Sequence, residues 1–304
     1  MKVCPDCHKV VNAIEALEIG GKYYHRACRT CVLCGNIIHS DRVVSEGKVY
    51  HLRCLKAGAT CAVCGKQSRH YRTNFWGQAA CVDHAQTCMY CGRFLSAATH
   101  GGRQIKYTYN RDGERCQKEV PLCGLCERTL VASPENIERY RREVMEIFRK
   151  NGIEGIPEDI PIRLSDMVEE GKRMGRGLWG LNHSHISPSR ERYSCEISIH
   201  CNLPETLFKG VLAHELMHSW LFLYAIELTD AECEGFCNLG KYLVLRSSNA
   251  PEAKYLISWI LETNTDPVYG EGFRLMKKRL DKLGWRNLMR TLRREYTSTE
   301  IAGT

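Results

Sequence analysis

Apolar residues at Ile137, Tyr140, Val144, Ile147 and Phe148 recur at helical spacing, and Ser133-Pro134-Glu135 ahead of them reads as a helix start with Ser133 as the cap. A longer series, Leu207, Val211, Leu212, Leu216, Leu221 and Phe222, runs through a proline-free stretch from Glu205 to Tyr224 that Pro204 opens. It predicts a second helix. After a break at Glu227 to Asp230, Thr229 or Asp230 can cap a third. Ile160-Pro161-Ile162-Arg163-Leu164 and the run Tyr193 to Ile199 alternate with period two and predict strands. The second ends just before the long helix, so it is expected to border a cleft and to bind a peptide along a free edge through main-chain hydrogen bonds. No apolar run reaches the roughly 18–20 residues of a membrane-spanning helix. A soluble, cytoplasmic protein is expected.

The first 130 residues are organised by cysteine spacing. Cys4, Cys7, His25 and Cys28 form one four-ligand set, and Cys31, Cys34, His51 and Cys54 a second, separated from it by two residues. The pattern recurs in Cys61, Cys64, Cys81 and His84, and then in Cys88, Cys91, Cys123 and Cys126. In this last set Gly101-Gly102 and the Asn110-Arg111-Asp112-Gly113 turn fill an enlarged loop. A C-x-x-C knuckle supplies two thiolates and a second pair from a following hairpin closes the tetrahedron, so four structural zinc ions are expected. Disulfides are not, since no secretory leader is recognisable. Closed tetrahedral sites leave no position for substrate, so these modules read as protein-docking surfaces whose folding depends on metal. Cys116, Cys195, Cys201, Cys233 and Cys237 remain, and read as buried thiols.

Composition alters this picture little. The chain has 304 residues, 43% apolar and 26% charged, which suits about two globular domains. Its formal charge of +8 counts the cysteines as neutral thiols. With the thirteen ligating thiolates ionised and the zinc ions bound, the charge falls to about +5, too little to suggest nucleic acid as a partner. The basic residues between Arg274 and Arg294 read as a solvated helix face.

His214-Glu215-Leu216-Met217-His218 carries the chemistry. On a helix, positions i and i+4 share a face, so both imidazoles can converge on one zinc ion, with Glu215 beside it as general base. A hydrolytic zinc needs a third protein ligand and an open fourth position. Glu234 is the candidate ligand, since a short turn between two antiparallel helices would bring it back beside the histidines. Asn238, one turn further on, is placed to orient a ligand. A rival arrangement makes Cys233 and Cys237 complete a closed Cys2His2 site with His214 and His218. His183, His185 and His200 are also able to reach the cleft.

The spacing through Cys54 matches the LIM domain, and the next set resembles a divergent LIM module. Leu203-Pro204, Leu212-Ala213-His214-Glu215, Met217-His218 and Trp220, then Glu234-Gly235, Cys237 and the segment Asp266 to Arg274, resemble the plant DA and DA-related LIM peptidases. The resemblance implies an α+β multidomain chain. A LIM domain over 1–58 and a LIM-like module over 59–130, both rich in β-hairpins, would precede a mainly helical, zincin-like peptidase domain with a small sheet over 131–304. It implies one catalytic zinc beside the four structural ones, and protein substrates, some of them in the ubiquitin pathway. Family members carry ubiquitin-interacting helices ahead of the LIM domain, where this sequence has only Met1, Lys2 and Val3. Peptidase chemistry is therefore the part of the resemblance expected to carry over. The ligand order is also similar to the gluzincin class, in which a later tyrosine stabilises the oxyanion; Tyr269 stands at that place. The Gly-x-Met-Glu-Asn strand of gluzincin aminopeptidases has no counterpart here, which favours an endopeptidase. A catalytically inactive LIM-type scaffold is the alternative, and the intact Glu215 counts against it.

Overall fold

The computed structural model describes residues 2–12, 16–45, 47–96, 100–109, 115–167, 179–186 and 193–297. The chain divides into two compact units, 1–102 with 121–124 and 103–120 with 125–304.

One local device is used four times around the cysteine pairs. In each knuckle the amide of the first cysteine donates to a carbonyl five residues on: Cys4 to Lys9, Cys31 to Asn36, Cys61 to Lys66 and Cys88 to Arg93. The residue four beyond that cysteine, His8, Gly35, Gly65 or Gly92, donates back to the cysteine carbonyl and has positive φ. Glycine takes this conformation without steric cost, and His8 is the position where a side chain bears it. The second ligand pair comes from a strand end and the helical turn after it. Strand Lys22–His25 ends on His25 and turn Arg26–Arg29 carries Cys28; Lys48–His51 ends on His51 and Leu52–Ala57 carries Cys54. Ala79–Cys81 ends on Cys81 and the tight turn Val82–His84 supplies His84.

In the fourth repeat the hairpin is long, pairing His100–Tyr109 with Arg115–Cys123, and turn Gly124–Glu127 carries Cys126. Gly101 and Gly102, expected in a loop, lie inside the first of these strands. Glycine weakens a ladder without removing its hydrogen bonds. The Asn110 to Gly113 turn lies outside the described residues. The apolar clusters here are small, built around residues such as Tyr24, Ile38, Tyr50 and Phe94. Cores of this size leave metal to supply much of the folding free energy.

The second unit is centred on helix Glu205–Leu223, which is buried on nearly every side and so lacks a polar face. Helix Asp230–Arg246 packs against it, and helix Gly270–Leu283 packs against that one in turn. The expected start at Ser133 takes a different form. Helix Glu135–Lys150 begins directly after Pro134, itself in the helical region, so no side-chain cap forms and the Ser133 hydroxyl donates to the Glu135 carboxylate instead. The three-stranded sheet has the order Ile162–Ser165, Tyr193–His200, Gly180–Ile186.

That order corrects the expectation of a free edge on the 193–199 strand. Tyr193–His200 is central, parallel to 162–165 on one side and antiparallel to 180–186 on the other. Ile197 and Ile199 share one face of the strand, and both are fully buried. Among the described residues the edges belong to Ile162–Ser165 and to Gly180–Ile186, and the run GLNHSHI of the latter has too few β-branched residues to announce a strand. In the basic tail Lys278, Lys282, Arg286, Arg290 and Arg294 are exposed, as a solvated face requires, whereas Arg274 donates to the Asn264 carbonyl, Arg279 pairs with Glu232 and Glu295, and Arg293 lies over the Tyr224 ring.

Candidate metal centre and cleft

Helices 205–223 and 230–246 carry the centre, and the turn between them is fixed by sequence. The Thr229 hydroxyl accepts from the Glu232 amide while the Glu232 carboxylate accepts from the Thr229 amide, a complete capping box. The second helix therefore starts in register to place Glu234 against His214 and His218. Gly235 follows for a steric reason: a Cβ there would lie 2.2 Å from the Gly272 carbonyl oxygen, and one on Gly272 would lie 2.1 Å from that of Ala231. Helices 230–246 and 270–283 thus cross backbone to backbone directly behind Glu234.

The three donors face one point. His214 Nε2 lies 3.2 Å from His218 Nε2 and 3.1 Å from Glu234 Oε2, and His218 Nε2 lies 3.6 Å from Glu234 Oε2. Tetrahedral bonds of 2.0–2.1 Å would separate nitrogen and oxygen ligands by about 3.3 Å, so the set has the spread of three ligands round one zinc ion. Glu234 Oε2 is buried and has no hydrogen-bond partner, the condition of an atom whose partner is an ion. Asn238 Oδ1 lies 3.0 Å from His214 Nδ1, which places the ring proton there and leaves the Nε2 lone pair toward the centre. The Asn238 amide also donates to the Tyr269 carbonyl.

Electrostatics suit a cation. Burial would raise the Glu234 carboxyl, but the two imidazoles beside it hold it well below the usual carboxylate range. Burial pushes His214 down to about 3, so its imidazole is neutral. Burial opposes a charge on His218 as well, yet Cys233 and Glu234 push it up to about 10. Burial pushes Glu215 up to about 7, against the lowering charges of His218 and Lys241. Such a carboxylate is poised to exchange a proton near neutral pH.

Around these groups lies a cleft of about 670 Å3, lined by Trp179, Gly180, Asn182, Glu215, Lys241 and Tyr269 among others. Gly180 makes room for Glu215, since a Cβ there would lie 2.5 Å from its Oε1. The Asn182 side chain donates to the Glu215 carbonyl and to Ser219 Oγ, tying the edge strand to the helix. His183, His185 and His200 do not line the cleft. His183 and His185 alternate with the cleft-facing positions 182 and 184, and the His200 ring turns to the Cys201 carbonyl. Lys241 was missed from sequence. It lies two turns after Glu234 on the same helix face, a spacing that would have found it, and only 8% of it is exposed. The rival Cys2His2 arrangement does not assemble as expected, for Cys233 and Cys237 group with His218, and Cys233 approaches it from Nδ1, whereas His214 lies on the Nε2 side.

Each N-terminal set also gathers its ligand atoms, and all four groups are able to hold a metal ion. Cys7 Sγ lies 3.3 Å from His25 Nδ1, Cys34 Sγ 3.4 Å from His51 Nδ1, and Cys91 Sγ 3.6 Å from Cys123 Sγ. Zinc–sulfur bonds of 2.3 Å predict sulfur–sulfur separations of about 3.8 Å and slightly less for sulfur–nitrogen. His25 and His51 donate through Nε2 to the carbonyls of Val10 and Ile37, which turns Nδ1 to the sulfurs.

Residues 163–258 match the family model described as DA1-like: Protein DA1. The chain is 26% identical to Protein DA1-related 2 of Arabidopsis thaliana over 289 residues, 81% of this chain and 54% of that protein. It is 24% identical to Protein DA1 of the same plant over 366 residues, 95% of this chain and 66% of that one. LIM domain-containing protein HDR3 of Oryza sativa subsp. japonica is 25% identical over 298 residues, 82% of this chain and 57% of that protein. The chain spans between about half and two-thirds of the length of these relatives. The resemblance to the plant DA and DA-related LIM proteins is therefore borne out, and the matched segment contains both helices of the candidate centre.

Proposed function

We propose that the C-terminal part of the chain, residues 131–304, is a gluzincin-type zinc peptidase that hydrolyses peptide bonds within protein substrates. The observation that carries the reading is the convergence of His214, His218 and Glu234 at ligand spacing, with Glu215 beside them in an open cleft. These three residues would hold the ion, and a zinc bound there supplies Lewis acidity, lowering the pKa of water and polarising a carbonyl. Glu215 accepts the proton of the attacking water on its carboxylate and passes it to the leaving amine. Asn238 fixes the tautomer of His214. Tyr269 lines the cleft and is the donor assigned to the developing oxyanion. A substrate strand pairs with the outer edge of Gly180–Ile186, so affinity comes largely from main-chain hydrogen bonds and depends little on side chains.

The LIM domain (1–58) and LIM-like module (59–130), each with two zinc ions, recruit protein partners or regulate the peptidase, and ubiquitin-pathway proteins are the substrate class to test first. No helix among the described residues is long and apolar enough to cross a membrane. Incubating an unfolded protein with the wild type and Glu215→Gln tests the reading: cleavage by the first and none by the second is expected, and no cleavage by a zinc-loaded wild type would leave a scaffold.

A further inference from the structure

His218 stands between two sets of donors and meets them with opposite nitrogens. Nε2 faces His214 and Glu234, whereas Nδ1 lies 3.7 Å from Cys233 Sγ. Cys237 completes the second group, and the ligand atoms of His218, Cys233 and Cys237 all lie within 4.8 Å of one another. The two cysteines are one helical turn apart. Cys233 lines the cleft and Cys237 is fully buried behind it.

We infer that Cys233, Cys237 and Nδ1 of His218 form a second, sulfur-rich metal site for a thiophilic d10 cation, antagonistic to the site of His214, His218 and Glu234. The donor set selects the ion, since two thiolates and an imidazole suit zinc, cadmium or copper(I) and disfavour magnesium and calcium. Binding releases the two thiol protons as two metal–sulfur bonds and one metal–nitrogen bond form. The antagonism comes from the ring. A neutral imidazole has one lone pair, so a His218 that offers Nε2 keeps its proton on Nδ1, and one that offers Nδ1 keeps it on Nε2. Serving both sites would require removal of the last ring proton. Entry is from the cleft, whose wall includes Cys233. Loss of turnover on filling this site rests on the peptidase reading; the binding itself does not.

The test is cadmium binding to the full-length protein, read by thiolate-to-cadmium charge-transfer absorbance and by metal content after gel filtration. Cadmium also exchanges into the LIM-type sites, equally in every variant, so differences between proteins carry the result. Because the two sites share His218, wild type and Cys233→Ser should hold the same number of cadmium ions, the variant's at His214, His218 and Glu234, and wild type should show the larger charge-transfer band from its thiolate-bound ion. His218→Ala should hold that ion roughly tenfold more weakly or worse, as expected for a lost contact in the site. His214→Ala should hold it at least as tightly as wild type, because His218 is freed from its competitor. Since a substitution at the buried Cys237 can fail by misfolding, the half-exposed Cys233 decides. Equal charge-transfer spectra in wild type and Cys233→Ser would overturn the site, and a wild type that holds one cadmium more than Cys233→Ser, or equal weakening by His214→Ala and His218→Ala, would overturn the antagonism. Neither readout involves hydrolysis, so failure of the peptidase reading shows separately, as absent turnover in zinc-loaded wild type.

Discussion

Replacing Asn238 by alanine removes a residue that is 2% exposed and is assigned no contact with substrate, yet the site should lose most of its grip on zinc. The lost acceptor leaves His214 Nδ1, 3.0 Å away in the native structure, as a buried donor with nothing to bond. An unsatisfied buried donor costs about 1–3 kcal/mol, and the ring is then free to rotate or to move its proton to Nε2. Loss of such an outer partner lowers metal affinity about 10–100-fold. That factor equals about 1.4–2.7 kcal/mol, so the two ways of arriving at the cost agree. Asn238→Asp keeps an acceptor for Nδ1 and gives up only the donation to the Tyr269 carbonyl, so zinc binding should survive it. The assay is competition with a chromophoric chelator, with occupancy of the centre taken as the difference from His218→Ala. An Asn238→Ala protein that holds zinc as tightly as wild type would refute the reasoning, because the ring would then need no external orientation.

Glu215→Gln should lose about 10²–10⁴-fold in turnover with zinc content unchanged, as measured by kcat and metal analysis on the same sample. Gly235→Ala introduces a Cβ 2.2 Å from the Gly272 carbonyl and should cost about 1–3 kcal/mol, read as a lowered Tm together with weaker zinc retention. Glu215 must be ionised to act as base, so kcat/KM rises with pH through its pKa. The positive charge of Lys241 lowers that pKa; Lys241→Met should therefore move the acid limb of the profile to higher pH, and a limb that stays in place would contradict the assignment. Chelation should unfold the cysteine-rich unit while the helical circular dichroism of the second unit persists, since only the former depends on metal for its core.

Periodicity made the helices legible: the stretch from Glu205 to Tyr224 folds as a helix over 205–223, and Thr229 caps the next. Cysteine spacing made the four N-terminal groups legible, because ligand chemistry constrains local geometry more tightly than propensity does. Strand pairing was not legible. Tyr193–His200 alternates as an edge strand would and is nevertheless central, since its neighbour Gly180–Ile186 carries histidine, serine and asparagine where β-branched residues would have revealed it. Lys241 escaped for a related reason. A lone lysine in a helix reads as solvated, and only the packing of two helices shows that it is buried in the cleft.

The most direct measurement is the zinc content of the full-length protein and of His218→Ala, taken alongside cleavage of an unfolded protein by wild type and Glu215→Gln. Five zinc ions falling to four, with cleavage abolished in Glu215→Gln, is the expected result. Four zinc ions in both proteins, with no cleavage by either, would contradict the peptidase and leave a LIM-type scaffold.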